Sequence, residues 1–386
     1  MGGPLFSFGF RPFFLGAAVW AILSLGLWLG ALAGLWALAP GYGALAWHAH
    51  EMLFGYGAAV VAGFLLTAVP NWTGRLPVAG GRLLLLFLLW CAARVAFLLT
   101  GVTGPLPAVV IDSLFLPCLI FVLAREIAVG RNWRNLKPLA LVALLAAANI
   151  AFHVEVLRTG SPNLASRIGV AALIGLIMLI GGRIVPSFTR NFLSRMKAKR
   201  LPVPFGRFDV VALLVSGAAL LLWVVRPASD VTGGLFLVAA IVQCFRLWRW
   251  AGIYTWREPI VFVLHLGYAF VPLGFLVGAA SIFEPGRIPG TAAMHAWTVG
   301  AIGLMTLAVM TRATRGHTGR DLSAPVTTLA IYAAMILAAL LRIGAGLAPD
   351  AYPLMVDLAG AAWIAAFGIF LFEYGPMLLE PRRERG

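Results

Sequence analysis

The amino-acid sequence predicts an all-α integral membrane protein, a bundle of about 12 transmembrane helices with both termini in the cytoplasm. Its composition excludes a water-soluble fold, because 61% of the 386 residues are hydrophobic, only 11% are charged and the mean hydropathy is +0.95. Apolar runs of roughly 18 to 25 residues, the length that crosses about 30 Å of hydrocarbon, recur along the whole chain. We therefore expect a single polytopic transmembrane domain over residues 1–386.

The first predicted helix covers residues 13–38. Only the cation Arg11 precedes it, and no small-residue cleavage site follows a short apolar core. These features indicate a retained helix rather than a signal peptide. The other helices are expected near residues 47–69, 83–100, 105–124, 136–157, 165–185, 208–226, 231–249, 259–280, 291–313, 325–345 and 352–374.

Lysines and arginines are concentrated in every second connection between these helices, and this bias orients the bundle. The side that holds most of the 29 cations also holds both termini, and the positive-inside rule makes it the cytoplasmic side. The exceptions are Arg94, Arg158, Arg167, Arg226, Arg287 and Arg342. The net charge of +15 therefore reflects topology and attraction to anionic membrane lipid, and nucleic acid is not an expected partner.

The six histidines divide by depth in this topology. The stretch from Trp47 to Gly55 reads WHAHEMLFG and brings two histidines and a carboxylate into the start of an apolar helix. Ligand-type side chains are costly in a membrane, so the stretch predicts a metal cofactor, with heme as the first choice. The histidines expected near the outer face are His48, His50, His153 and His295. Those expected toward the cytoplasm are His265, inside helix 9, and His317, in the basic loop after helix 10.

His48 and His50 are not expected to share one ion, because residues two apart on an α-helix point about 200° apart. One histidine would serve a heme iron, and the other would serve a second metal such as copper or have a hydrogen-bonding role. Glu51 would orient it or relay protons. The competing interpretation makes them interfacial histidines that water and backbone satisfy, next to an anchoring Trp47. The predicted metal ligands are His48, His50, His265 and His295.

Further polar side chains fall inside the predicted helices. Arg94 and Asp112 lie on neighbouring antiparallel helices, roughly 10 Å below the outer surface at 1.5 Å per residue. We predict that they form an ion pair. The pair could have a structural role or belong to a proton path, and the sequence favours neither. Asn149 and Gln243 are predicted to form hydrogen bonds between helices.

The cytoplasmic ends of three predicted helices, near residues 71–75, 181–191 and 311–320, are rich in Arg, Thr, Asn and Gly. Arginine binds carboxylates in a bidentate manner, so these ends are candidates to hold heme propionates or another anion. Glycine-capped helix ends that obey the positive-inside rule explain the same residues equally well. The candidate anion-binding residues are Arg75, Arg183, Arg312 and Arg320.

Several long motifs of this chain resemble the NnrS family. They are FRPFF at 10–14, WHAHE at 47–51, GFLLTAVPNWTG at 63–74, GGRIVPSFTRN at 181–191, and the stretch from HAWTVGA at 295–301 through GHTGR at 316–320. His153 in NIAFH and His265 in LHLGY also resemble family positions. The resemblance covers nearly the whole chain, and its motifs follow in the family's order.

The resemblance implies a bacterial inner-membrane (cytoplasmic-membrane) protein of twelve helices that contains heme b and copper. It links the chain to nitric oxide metabolism or to resistance to nitrosative stress. It assigns no ligands, so the candidate cofactor-binding residues remain the six histidines and the four arginines named above.

Three functions follow from these patterns. The first is a heme and copper protein that binds nitric oxide, and reduces or oxidises it, at the outer histidines, with Glu51 as the proton-relaying residue. The second is a heme-based nitric oxide sensor or sink without turnover, which fits a sequence with no CxxCH motif and no evident electron donor. The third is a secondary transporter, suggested by the helix number and by the pair of Arg94 and Asp112.

Overall fold

The chain folds into helices in the computed structural model, which describes residues Gly3–Arg383. Arg385, one of the expected cytoplasmic cations, lies outside the described residues. Within the described range no strand forms, and twelve helices are long and apolar enough to cross a membrane, which confirms the predicted all-α membrane bundle. They are α1 Phe10–Leu32, α2 Ala44–Thr73, α3 Gly81–Leu98, α4 Pro105–Val129, α5 Trp133–Thr159, α6 Asn163–Arg195, α7 Arg207–Val225, α8 Asp230–Trp248, α9 Pro259–Phe283, α10 Gly290–His317, α11 Val326–Ala345 and α12 Pro349–Leu379.

Several helices extend a few residues beyond their predicted ends, whereas α1 ends at Leu32 and not at residue 38. The extensions of α6 and α10 carry predicted site residues into helices. Helix α6 continues through the motif at 181–191 as far as Arg195, although Pro186 lies inside it. A π-helical turn, Ile177–Gly181, precedes this proline by about one helical turn, and the α-helix Gly182–Arg195 continues through Pro186. Helix α10 continues to His317, which is therefore the last residue of a helix and not part of a loop.

Helices α2, α6 and α10 each contain a π-helical segment, and these segments are Glu51–Gly57, Ile177–Gly181 and Ala296–Gly303. A π turn holds one extra residue and redirects the carbonyl groups around it. Side chains of other helices donate hydrogen bonds to two of these segments. Trp90 Nε1 lies 3.0 Å from the carbonyl oxygen of Gly55, and Arg246 Nη1 lies 3.0 Å from that of Met178.

The contacts divide the chain into two compact units, so the expected single domain remains a prediction. The first unit contains residues through Ala172, the stretch Ala313–Asp321 and the chain from Phe367 onward. Its core includes the fully buried rings of Phe13 and Phe14 on α1. Gly63 of α2 lies so close to them that a Cβ atom there would be 2.8 Å from the Phe14 ring, and this close approach joins the two helices.

The second unit contains Leu173–Arg312 and Leu322–Ala366. Its core includes an aromatic cluster in which Trp297 packs edge-on against Phe236 and Phe275, with ring centroids 5.6 and 5.2 Å apart. Gly274 of α9 leaves room for this tryptophan, because a Cβ atom there would be 2.2 Å from the indole ring. Aromatic packing at glycine positions therefore joins helices in both units.

Large apolar side chains cover much of the exposed helical surface. Leu85, Phe121, Leu214, Ile241 and Phe372 are between 68% and 78% exposed. A water-soluble protein would not leave such side chains exposed on so many helices. Lipid satisfies them, as expected of a multi-pass membrane protein.

Arg11 fixes the end of α12 in the first unit. Its side chain is only 2% exposed, and Nη1 donates to the carbonyl oxygens of Leu378 and Glu380 at 2.8 and 2.6 Å. The last carbonyl groups of a helix have no partners within the helix, and the C-terminal end of its dipole attracts a cation. One buried guanidinium therefore caps α12 and ties the start of α1 to it.

We expect Arg11→Met to lower the free energy of unfolding by about 2 kcal/mol, because buried hydrogen bonds to a charged group are lost. Thermal unfolding of the protein in detergent measures the change. Arg75→Met is the matched control. Arg75 is 38% exposed and pairs with Glu126 at 2.6 Å, so its loss should cost less than about 1 kcal/mol. Equal losses in the two variants would contradict the capping role of Arg11.

Candidate metal centre

His50 lies at the centre of a buried polar cluster in the first unit. It ends the α-helical start of α2 and directly precedes the π-helical segment Glu51–Gly57. Its Nδ1 lies 2.9 Å from Glu51 Oε1, and its Nε2 lies 3.1 Å from Asp112 Oδ2 and 2.9 Å from Asn149 Oδ1. The residue has no exposed surface. Side chains of α2, α4 and α5 therefore meet at one imidazole ring.

His153 of α5 joins the same cluster through Asp112. Its Nε2 lies 3.0 Å from Asp112 Oδ2, and the centroids of the His153 and His50 rings are 4.7 Å apart. His50 lies about 9 Å from the start of α2, and His153 lies about 9 Å from the end of α5, at 1.5 Å per residue. The two side chains thus reach the same depth from the same side. Asn149 donates to Asp112 Oδ2 at 2.7 Å, which confirms its predicted hydrogen bond between helices.

Arg94 binds both carboxylates of the cluster. Its Nη1 donates to Glu51 Oε2 at 2.6 Å, and its Nη2 donates to Asp112 Oδ1. The predicted pair of Arg94 and Asp112 is confirmed, and Glu51 is a third member that the sequence analysis did not include. Trp20 of α1 also donates to Glu51 Oε2, at 2.7 Å. All three ionisable side chains are at most 3% exposed.

His50 is surrounded by more hydrogen-bond acceptors than a neutral imidazole can satisfy. Glu51, Asp112 and Asn149 present to its ring only oxygen atoms that accept hydrogen bonds. A neutral imidazole has one N–H and one lone pair, so one of its nitrogens would face an oxygen lone pair with no proton between them. A positive charge beside Nε2, either a further proton or a metal ion, removes this conflict.

The same atoms fit a metal ion. His50, Asp112 and His153 each offer one ligand atom, and these three atoms lie within 4.8 Å of one another. Metal bonds to nitrogen and oxygen of about 2.0 to 2.2 Å place neighbouring ligand atoms a little over 3 Å apart. Asp112 Oδ2 is 3.1 and 3.0 Å from the two Nε2 atoms, so only small movements would be needed.

Tyr42 contacts the cluster from the connection between α1 and α2. Its hydroxyl lies 2.9 Å from His153 Nδ1, and the side chain is buried. Burial, and to a lesser extent the charge of Glu51, hold the pKa of Tyr42 well above its usual value, against the opposing effect of Arg94. The phenol therefore stays neutral at pH 7, and its oxygen can accept a hydrogen bond from His153 Nδ1–H. This is the tautomer that leaves a lone pair for a metal on Nε2, the nitrogen that faces Asp112.

The comparison with known families agrees with the motifs of the sequence, since the NnrS protein family matches residues 4–382. The chain belongs to the NnrS family. Membership suggests a role in the nitric oxide response. A search of curated proteins found no match.

Heme, which the family resemblance implies, does not fit at His50 or His153 in this structure. The rings of Phe97, Phe54 and Phe152 pack around His50 with centroids 4.8 to 5.5 Å away. A macrocycle with its iron on either histidine would displace these rings. The cluster suits a small ion only.

Two other predicted cofactor histidines of the first unit lie in aromatic surroundings. His48 is half-buried and stacks on Trp28 of α1, with ring centroids 4.7 Å apart and an angle of 16° between the planes. Its ring and that of His50 thus contact different helices, as the 200° separation predicts. His317 is half-buried and packs on Phe10 at 5.5 Å.

The remaining two predicted histidines belong to the second unit. His295 is half-buried, and its Nδ1 lies 2.7 Å from the carbonyl oxygen of Thr291, one turn earlier in α10. His265 is 5% exposed, and its Nε2 lies 2.8 Å from Thr189 Oγ1. Its Nδ1 side packs against Gly252, where a Cβ atom would be 2.3 Å from that nitrogen. Their roles as ligands remain predictions.

The predicted anion-binding arginines of the first unit have carboxylate partners. Arg75 Nε lies 2.6 Å from Glu126, and Arg320 Nη2 lies 2.7 Å from Glu380. Both pairs join helix ends to neighbouring segments. An anionic ligand at either arginine would compete with these carboxylates.

In the second unit Arg183 is exposed, and Arg312 lies over the ring of Phe188 at 3.9 Å. Glu258 lies in the connection that precedes α9. Partial burial raises the pKa of Glu258 above its usual value, and the charges of Arg195 and Arg312 oppose this rise. The role of Arg183 and Arg312 in binding an anion remains a prediction.

The second unit contains a buried polar cluster around Arg246. Of its members, the sequence predicted only Gln243 to form hydrogen bonds between helices. Arg246 of α8 is fully buried, and it donates to Asp209 of α7 at 3.1 Å and to the hydroxyl of Tyr268 on α9 at 2.9 Å. Gln243 accepts from Tyr268 at 2.7 Å and donates to Ser216 at 2.9 Å, which confirms its predicted role between helices. Asp209 near the start of α7 and Arg246 near the end of α8 are at equal depth, and this spacing was the available signal.

We expect Gly55→Ala to disrupt the buried cluster around His50 and to lower the free energy of unfolding. A Cβ atom there would lie 2.4 Å from Arg94 Nη1 and 2.6 Å from Glu51 Oε2, so both side chains would have to move and their ion pair would be disturbed. Breaking a buried ion pair costs about 3 kcal/mol or more. Gly26→Ala on α1 is the control, because a Cβ atom there meets nothing within 4 Å and alanine favours the helix. Thermal unfolding in detergent should separate the two variants, and equal stability would contradict the close packing at Gly55.

Proposed function

We propose that this protein binds nitric oxide in the bacterial inner membrane at a copper ion held by His50, His153 and Asp112. The convergence of two imidazoles and a carboxylate, all at most 2% exposed, carries the proposal. Ionisable side chains are costly in a membrane, and they mark functional sites there. Family membership supplies the link to the nitric oxide response.

The donor set is compatible with copper, because imidazole is a common ligand of this metal and mixed nitrogen and oxygen sites hold Cu(II). Bound copper would supply affinity for a diatomic ligand and one-electron chemistry. His50 and His153 would each offer a ring nitrogen to it, and Asp112 would offer an oxygen. Asn149 fixes that carboxylate through its 2.7 Å hydrogen bond.

Glu51 acts as a positioning residue in this proposal. One of its carboxylate oxygens accepts hydrogen bonds from Arg94 and Trp20. The other oxygen lies next to His50 Nδ1. A carboxylate behind a ligating histidine fixes the ring and selects its tautomer. Proton relay through Glu51, as first expected, would require one of these contacts to break.

The position of the cluster matches the access that nitric oxide needs. The cluster lies near the side of the bundle where α1 ends and α2 begins. The bias in Lys and Arg makes this side the outer face in our proposal. The phenol of Tyr42 and several phenylalanine rings surround the histidines. These groups exclude water and present mostly apolar surface, which a small uncharged gas can cross.

Heme b is not assigned to this cluster, since a macrocycle does not fit there. A heme in this protein would use one of the histidines outside the cluster. The proposed copper site does not depend on it, and the optical spectrum reports on heme separately.

We expect the purified protein to contain about one copper ion per chain, and His50→Gln and His153→Gln to lose it. Elemental analysis measures the metal, and electron paramagnetic resonance with added nitric oxide measures the ligand. His317→Gln is the matched control, because this histidine packs on phenylalanine rings outside the cluster. It should keep the copper. Size-exclusion chromatography checks that each variant folds.

Copper that persists when both His50 and His153 are replaced would contradict the proposed site. Nitric oxide consumption, measured with an electrode and an artificial electron donor, separates an enzyme from a sink. Continuous consumption identifies an oxidoreductase. Uptake that stops at about one molecule per copper identifies a sink or sensor.

A further inference from the structure

The fixed charges of the metal centre can be counted, because the whole cluster is buried. Glu51 and Asp112 each carry one negative charge, and Arg94 carries one positive charge. Neutral imidazoles are the form that binds metals, so His50 and His153 add nothing. The protein therefore supplies a net charge of −1 to the cluster. A cation bound between the histidines and Asp112 would balance it.

Burial makes this net charge decisive. All five side chains are at most 3% exposed, so water cannot screen an imbalance. A monovalent cation would leave the centre neutral. A divalent cation would leave one positive charge uncompensated in a region of low dielectric constant, which is costly.

Arg94 controls this balance and also the shape of the site. Each of its two terminal nitrogens binds a different carboxylate, Glu51 at 2.6 Å and Asp112 through Oδ1. Asp112 Oδ2 is thereby left to face His50 and His153. Without the guanidinium the cluster would hold two negative charges, the number that suits a divalent ion.

We propose that Arg94 is the specificity-determining residue of the metal centre and that it makes the site prefer Cu(I) to divalent ions. This inference rests on the proposed copper site. The ligand types alone would give the opposite preference, since imidazole and carboxylate without thiolate favour Zn(II) and Cu(II). The preference for a monovalent ion thus comes from charge.

A series of variants with different net charge tests the proposal. Arg94→Gln gives a net charge of two negative units, Glu51→Gln gives zero, and the double variant restores one negative unit. Arg94→Lys keeps the wild-type charge. Cu(I) and Zn(II) serve as probes because both have a filled d shell and they differ by one charge. Competition with chelators, under anaerobic conditions for Cu(I), gives both dissociation constants for each protein.

We expect the affinity ratio of Cu(I) to Zn(II) to follow net charge. At an effective dielectric constant of about 20, one charge within the cluster changes this ratio on the order of 100-fold. The ratio should therefore fall about 100-fold in Arg94→Gln and rise about 100-fold in Glu51→Gln. It should stay within about tenfold of the wild type in the double variant and in Arg94→Lys.

The outcomes separate this inference from the proposed function. A ratio that is the same in every variant would overturn the role of Arg94 and leave the metal site standing. A double variant that matches either single variant would overturn it as well, since geometry and not charge would then set the ratio. Wild-type protein that binds neither ion would remove the metal site itself. If Arg94→Gln does not fold, Glu51→Gln and the double variant still differ by one unit of charge.

Discussion

The guanidinium of Arg94, which binds Glu51 and Asp112 together, is the interaction on which the buried cluster of the first unit depends. Two carboxylates that are at most 2% exposed would repel each other without it. Their desolvation is offset only when hydrogen bonds and charge both match. Arg94 supplies both, because its nitrogens lie on one plane and reach a different carboxylate each. The orientations of His50 and His153 follow from those of the two carboxylates.

The helix that brings His50 and Glu51 into the cluster is irregular where they lie. A π-helical segment begins at Glu51, and Gly55 within it allows Arg94 and Trp20 to approach the backbone. The carbonyl oxygen of Gly55 accepts a hydrogen bond from Trp90 Nε1, so this acceptor in the irregular turn has a partner. The second unit has a similar contact, because the carbonyl oxygen of Met178 in another π segment accepts a hydrogen bond from the buried Arg246. In both units a π turn lies against a buried arginine.

The same contacts connect structure to the proposed chemistry. A small ion fits among ligand atoms that already lie about 3 Å apart, whereas a macrocycle does not fit among the rings around His50. Burial keeps water away and strengthens the effect of every fixed charge, which is why we propose that Arg94 selects the charge of the ion. The phenol of Tyr42 stays protonated for the same reason, because burial disfavours its anion. Family membership suggests a role in the nitric oxide response, to which the proposed function links this cluster.

Much of the site could be predicted from positions along helices. Arg94 and Asp112 lie at similar depths on antiparallel neighbours, so their pairing followed from helix geometry. That His50 faces Asn149 and His153 could not be predicted, because it requires the rotation of α2 and α5 about their axes. The pair of Arg246 and Asp209 was missed because both residues lie near helix ends, where they counted only as surface charges.

The sequence by itself determined twelve membrane-spanning helices, the family and the depth of most polar side chains. Hydrophobicity and rise per residue are properties of one helix, and they need no knowledge of its neighbours. The tertiary structure decided which polar groups at one depth meet, where α6 and α10 end, and that the cluster has room for a small ion but not for a heme. These features depend on contacts between side chains of different helices, and on π turns that the pattern of apolar residues does not record.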